Sequence, residues 1–120
     1  MRTIMNFKEL KIWQEARQIV GEIYKYTAQN KDFGFNDQIQ RAAISIMNNI
    51  AEGHEYRSKN MFQKFLKISM GSCGEVRSML YLAVDLNYFD QPTSIHLLDR
   101  CKALSTSLIG VKHYQNPSIN

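Results

Sequence analysis

The 120 residues carry a net charge of +4 and amount to one domain, residues 1–120, with length enough for a single core. Hydrophobic residues make up 44%, charged residues 22%, and Pro occupies only 2 positions, which excludes disordered and fibrous classes. No apolar run reaches the roughly 18 residues of a membrane span, and a pI near 9.1 permits nucleic-acid contact without demanding it.

Three turn-like clusters divide the chain into four segments of helical length: residues 30–34, 53–58 and 87–92. In the first segment, residues 6–29, Phe7, Leu10, Trp13, Ala16, Val20, Ile23 and Thr27 recur at steps of three and four and form one stripe. The second starts with Asn36 as the expected N-cap. It carries Ile39, Ala42, Ile46 and Ile50, flanked by Ala43 and Met47, and Gly53 is the expected C-terminal stop. The third, capped by Ser58, sets Phe62, Phe65, Ser69, Ser72, Val76, Met79, Ala83 and Leu86 along a bundle seam. Gly71 and Gly74 weaken that helix, so a close backbone neighbour is expected there. The fourth follows Pro92, with Thr93 or Ser94 as cap. Ile95, Leu98, Cys101, Leu104 or Ser105, Leu108 and Val111 point inward, and fraying is expected at Asn116 and Pro117. Strand-type alternation is nowhere sustained. The expected fold is all-α, an up-down-up-down antiparallel four-helix bundle.

The chemical inventory is thin. No Glu-x-x-His pair supports a carboxylate-bridged metal site, and His54, His96 and His113 are scattered over a loop and the last helix. Cys73 and Cys101 form no CxxC pair and fall on core stripes, where cysteine behaves as a small hydrophobe. Neither a metal nor a cofactor is expected, nor enzymatic activity. The opening residues, MRTIMNFKEL, hold no apolar signal region, so a reduced, cytoplasmic chain is expected.

Charge is more informative. Residues 53–72 hold Arg57, Lys59, Lys64 and Lys67 against Glu55 alone, whereas residues 73–90 are net negative. Arg41, Arg57, Lys59, Lys64 and Lys67 are therefore the candidate phosphate contacts, with Asn60 and Gln63 beside them; an ordinary solvated helix face is the alternative. Helix two also carries a polar strip that includes Gln38, Arg41, Ser45, Asn49 and Glu52, readable as solvent-facing or as a hydrogen-bonded subunit interface. Glu52 beside a helix C-terminus opposes the dipole and is expected to have a specific partner. The surplus of large rings, Trp13, Tyr24, Phe33, Tyr81 and Tyr88 among them, points to a homo-oligomer.

The stretch QIQRAAISI at residues 38–46, followed by Asn49-Ile50-Ala51-Glu52-Gly53, is distinctive. With Phe7, Leu10, Trp13, Ala16 and Arg17 before it and Phe65, Leu66, Gly71, Ser72 and Glu75 after it, the chain resembles a known family over nearly its whole length. That family is the bacterial four-helix-bundle proteins encoded in intervening sequences of large-subunit ribosomal RNA genes. The accessory variability determinant of diversity-generating retroelements looks like a relative. The resemblance implies a four-helix protomer, a barrel-shaped homopentamer, association with RNA or other nucleic acid, and no enzymatic activity. Gln38, Ser45, Asn49, Glu52 and Gly53, which fall within this stretch, are the candidate structural or interface positions. Met47 stands where the family commonly has a proline, Arg57 occupies the place of the family's arginine after the turn, and Cys73-Gly74 replaces larger residues.

Overall fold

The computed structural model describes residues 6–111. A 3₁₀ turn at Phe7–Glu9 leads into four helices: α1 (Lys11–Thr27), α2 (Phe33–Glu55), α3 (Lys59–Asp85) and α4 (Gln91–Val111). Short connections hold successive helices antiparallel, and no strand occurs among the described residues. The expected bundle is the observed one.

The α1 stripe keeps Leu10, Trp13, Ala16, Ile23 and Thr27, but Ile12 and Ile19 are buried with them, whereas Val20 and Phe7 are only partly covered. Facing them are Ile39, Ala43, Ile46 and Ile50 of α2, Leu66, Val76 and Leu80 of α3, and Leu97, Leu104 and Leu108 of α4. The closest helix pair is α2 with α3, and the loosest is α1 with α4. The α1–α4 side is tied by polar groups instead: Arg100 donates to Glu22 at 3.3 Å, and the His96 ring meets the same carboxylate oxygen at 3.1 Å.

Several local expectations are corrected. α2 begins at Phe33, because Asp32 caps it by accepting the Phe35 amide at 3.1 Å. Asn36 is instead buried inside the first turn, donating to the Asn30 carbonyl at 2.7 Å. Gly53 does not stop α2. The helix runs two residues further, and the left-handed position falls on Arg57 (φ 54°). α2 also passes through Met47 unbroken. His54, assigned to a loop, is helical and fully buried.

The α3 seam keeps Phe62, Ser69, Val76 and Ala83 but takes Leu66, Cys73 and Leu80 in place of Phe65, Ser72 and Met79. Both series satisfy the same three-four spacing; Ser72 meets Ser45 of α2 at the edge of the seam, while Cys73 reaches the Cys101 carbonyl of α4 in its interior. Leu86 is exposed. Gly71 and Gly74 are also exposed, and a Cβ at either would meet nothing within 4 Å, so the expected backbone approach is absent there. α4 starts earlier than expected, at Gln91. Asp90 accepts the Thr93 amide at 2.8 Å, and Pro92 sits in the first turn, where its missing N–H costs no hydrogen bond. Ile95 faces solvent. The fraying expected at Asn116 and Pro117 lies outside the described residues, as does His113.

Candidate nucleic-acid interface

The end of the bundle formed by the α2–α3 turn is built around a close crossing. At Gly53 an added Cβ would stand 2.7 Å from the Phe65 Cβ, nearer than real carbon atoms approach, so only glycine fits. The contact brings Phe65 over the last turn of α2, where its ring stacks on Tyr56 with centroids 5.4 Å apart and planes 19° from parallel. Tyr56 still has helical backbone angles, Arg57 then turns left-handed, and Ser58 caps α3 by accepting the Met61 amide.

Beneath this turn lies His54, fully buried, edge-on to Phe62 with ring centroids 6.1 Å apart. Neither ring nitrogen has a hydrogen-bond partner. Burial lowers its pKa below the ordinary histidine value, and repulsion from Arg57 lowers it further, outweighing Glu55.

Not all of the expected phosphate contacts converge. Asn60, Lys64 and Lys67 follow at helical steps on α3 and are all exposed, with Arg57 half-buried at the head of the helix. Lys59 is exposed but lies about 140° around α3 from Lys64, at ~100° per residue, and so belongs to another face. Arg41 is remote. Fourteen residues of α2 follow it before the helix ends at Glu55, about 21 Å along the axis, and it pairs with Asp37 at 2.9 Å.

The polar strip of α2 resolves into an intramolecular seam. Gln38 donates to Glu75, the Ser45 and Ser72 hydroxyls are 2.8 Å apart, and Asn49 donates to the Ser45 carbonyl at 2.8 Å. Below them Ser69 donates to the Ile46 carbonyl at 2.9 Å. The sequence marks Gln38, Ser45 and Asn49 as one polar strip, and the structure supplies its α3 partners, Glu75 and Ser72. Glu52 is exposed, and the expected partner is not found among the described residues.

Other candidate chemistry is enclosed or dispersed. The Cys73 thiol donates to the Cys101 carbonyl at 3.3 Å, and both cysteines are fully buried. A groove of about 670 Å³ between α1 and α4 mixes Lys11, Glu15, His96, Asp99 and Arg100. Among the described residues no three metal-ligating side chains gather, and no helix is long and apolar enough to cross a membrane.

The family model described as 23S rRNA-intervening sequence protein matches residues 8–110. The chain belongs to that family. No curated protein sequence matches this chain. Its fold is similar to that of a crystal structure from Bacteroides thetaiotaomicron, described as a protein of unknown function from the S23 ribosomal protein family. The TM-score is 0.79 at 21% identity, covering 86% of this chain and 99% of that one. That likeness is one of fold alone.

Proposed function

We propose that this intervening-sequence protein is a non-enzymatic, oligomeric bundle of the cytoplasm that binds structured RNA through phosphate contacts at the head of α3. The supporting observation is that Lys64 and Lys67 are exposed one turn apart on α3, with Arg57 at its head, in a stretch, residues 56–74, that contains no Asp or Glu. These three are the centre of the proposed contact. Lys59 serves a neighbouring face, and Arg41 a separate one. The family's kinship with the retroelement accessory determinant belongs to the same reading.

Self-association, as a homopentamer by family resemblance, is supported by exposed apolar side chains on the outer faces of α3 and α4. Tyr81 and Leu82 lie on the first, with Leu86 just past its end, and Ile95 and Ile109 on the second. These residues also favour the alternative, a protein-interaction scaffold whose basic face is incidental.

Binding of a structured RNA at two salt concentrations tests the reading, with Arg57→Ala/Lys64→Ala/Lys67→Ala as control and light scattering to establish the oligomer. Phosphate contacts predict affinity falling steeply with salt, and loss of three contacts lowers the log–log slope by about 2–3. An intact oligomer that binds no RNA would leave the scaffold.

A further inference from the structure

Four aromatic side chains among the described residues are largely exposed: Tyr24, Phe33, Tyr56 and Tyr81. Of these, Tyr56 alone has a ring partner. Phe65 covers one of its faces, nearly parallel to it, yet Tyr56 remains 53% exposed, so its outer face and edge are presented to solvent. The support is rigid. Phe65 is seated against Gly53 and half-buried, and Tyr56 is held by the last turn of α2 on one side and the left-handed Arg57 on the other.

We propose that Tyr56 is a stacking platform for an unpaired nucleobase, with Lys64, which directly precedes Phe65 on α3, holding the neighbouring phosphate and Lys67 contributing from the face beyond it. This rests on the RNA reading above and names the part of the RNA that the surface takes. A base inside a duplex already has both faces stacked, whereas an unpaired base in a loop or single strand offers a free face to an aromatic ring. The charges around the ring fit that occupant. Residues 56–74 supply cations and no acid on the α3 side. Glu52 stands one turn before Tyr56 and Glu55 directly before it, both exposed, placing carboxylate acceptors on the α2 side of the ring. Such acceptors suit the amino and imino groups of an unpaired base edge and repel the phosphates of a duplex laid across the turn.

The test uses the full chain with two probes of equal phosphate number, oligouridylate and a blunt-ended RNA duplex, followed by fluorescence anisotropy. Tyr56→Ala is expected to weaken oligouridylate binding roughly 5- to 150-fold, without changing the salt slope or duplex binding. Tyr56→Phe is expected to bind as the parent does. Tyr56→Leu, which retains apolar contact with Phe65 but has no π face, should lose as much as Tyr56→Ala, with helical content and melting temperature showing that it is folded. Lys64→Ala/Lys67→Ala should weaken both probes and flatten the salt slope. Tyr56→Ala and Tyr56→Leu binding oligouridylate like the parent, or losing both probes equally, would overturn the platform and leave the RNA reading standing. A parent protein that binds neither probe would overturn both.

Discussion

The hydroxyl of Tyr88 donates to the Asp32 carboxylate at 2.5 Å, while the other oxygen of the same carboxylate accepts the Phe35 amide at 3.1 Å. One side chain thus caps α2 and ties the α1–α2 turn to the α3–α4 turn, 56 positions away in sequence. Around this link Phe35 packs edge-on against Tyr88 and against Phe89, with centroids 5.0 and 6.3 Å apart. This end of the bundle is closed by rings and one shared carboxylate. The other end is closed by the Gly53 crossing.

The Tyr88 bond, and then the Phe35 amide, hold Asp32 below the usual carboxylate range. A group whose folded pKa is depressed contributes stability that is present above its unfolded value and is lost as pH falls through the folded one. Asp32→Ala and Tyr88→Phe are each expected to lower the melting temperature at neutral pH. Their effects should be less than additive, because they share one contact. The deficit of Asp32→Ala should vanish in strong acid, where the carboxylate is protonated in both states. Thermal melts of the two single variants and the double variant across pH check this.

At the opposite end, Gly53→Ala would place a Cβ within 2.7 Å of the Phe65 Cβ. Neither atom is the flexible end of a side chain, so α2 and α3 must separate. Overpacking of this kind costs about 1–3 kcal/mol. The same separation withdraws Phe65 from Tyr56, so the variant is expected to lose single-strand binding along with stability. Gly71→Ala, at an exposed helical site with open space around it, should instead stabilise by about 1 kcal/mol. Urea unfolding of the two variants distinguishes a glycine required by contact from one that is merely tolerated.

His54 places two buried ring nitrogens without partners in the same end. Its folded pKa is lowered, so the unfolded chain binds the proton more readily. Stability therefore holds above the ordinary value of 6.5 and falls as pH drops from there towards the folded pKa. An unsatisfied buried polar group costs about 1–3 kcal/mol. His54→Leu is therefore expected to match or exceed the parent in stability at neutral pH, and to flatten the decline on the acid side of 6.5. Chemical unfolding at several pH values measures both effects.

The four helices were legible because a stripe at three-four spacing runs through each segment; on α2 the expected one, Ile39, Ala42, Ile46 and Ile50, is buried, whereas on α1 Ile12 and Ile19 take the place of Val20. The flank of α3 was not legible. Phe65, Ser72 and Met79 satisfy the same periodicity as Leu66, Cys73 and Leu80, and tertiary packing alone decides between them. Helix ends were misplaced where an earlier residue could cap equally well: Asp32 takes precedence over Asn36, and Asp90 over Thr93. At the candidate site, sequence located Arg57, Lys64 and Lys67 but not the stack of Tyr56 on Phe65. That contact spans a turn whose direction depends on Gly53 serving as a contact point within the helix and on Arg57 taking the left-handed role.

Arg57 carries that role at an energetic disadvantage. Its φ of 54° costs a non-glycine residue roughly 1 kcal/mol or more, and the amide of Arg57 still donates to the His54 carbonyl at 3.1 Å, so the conformation is fixed by the turn. Arg57→Gly and Arg57→Ala remove the same side chain and the same charge, but only glycine relieves the backbone. Arg57→Gly is therefore expected to be about 1 kcal/mol more stable than Arg57→Ala, while both lose the same RNA affinity and the same part of the salt slope. Paired urea titrations and RNA titrations of the two variants check this. Equal stability would place the turn outside left-handed space in solution. Unequal RNA binding would mean that the residue acts through the shape of the turn and the position of Tyr56, and not through its charge.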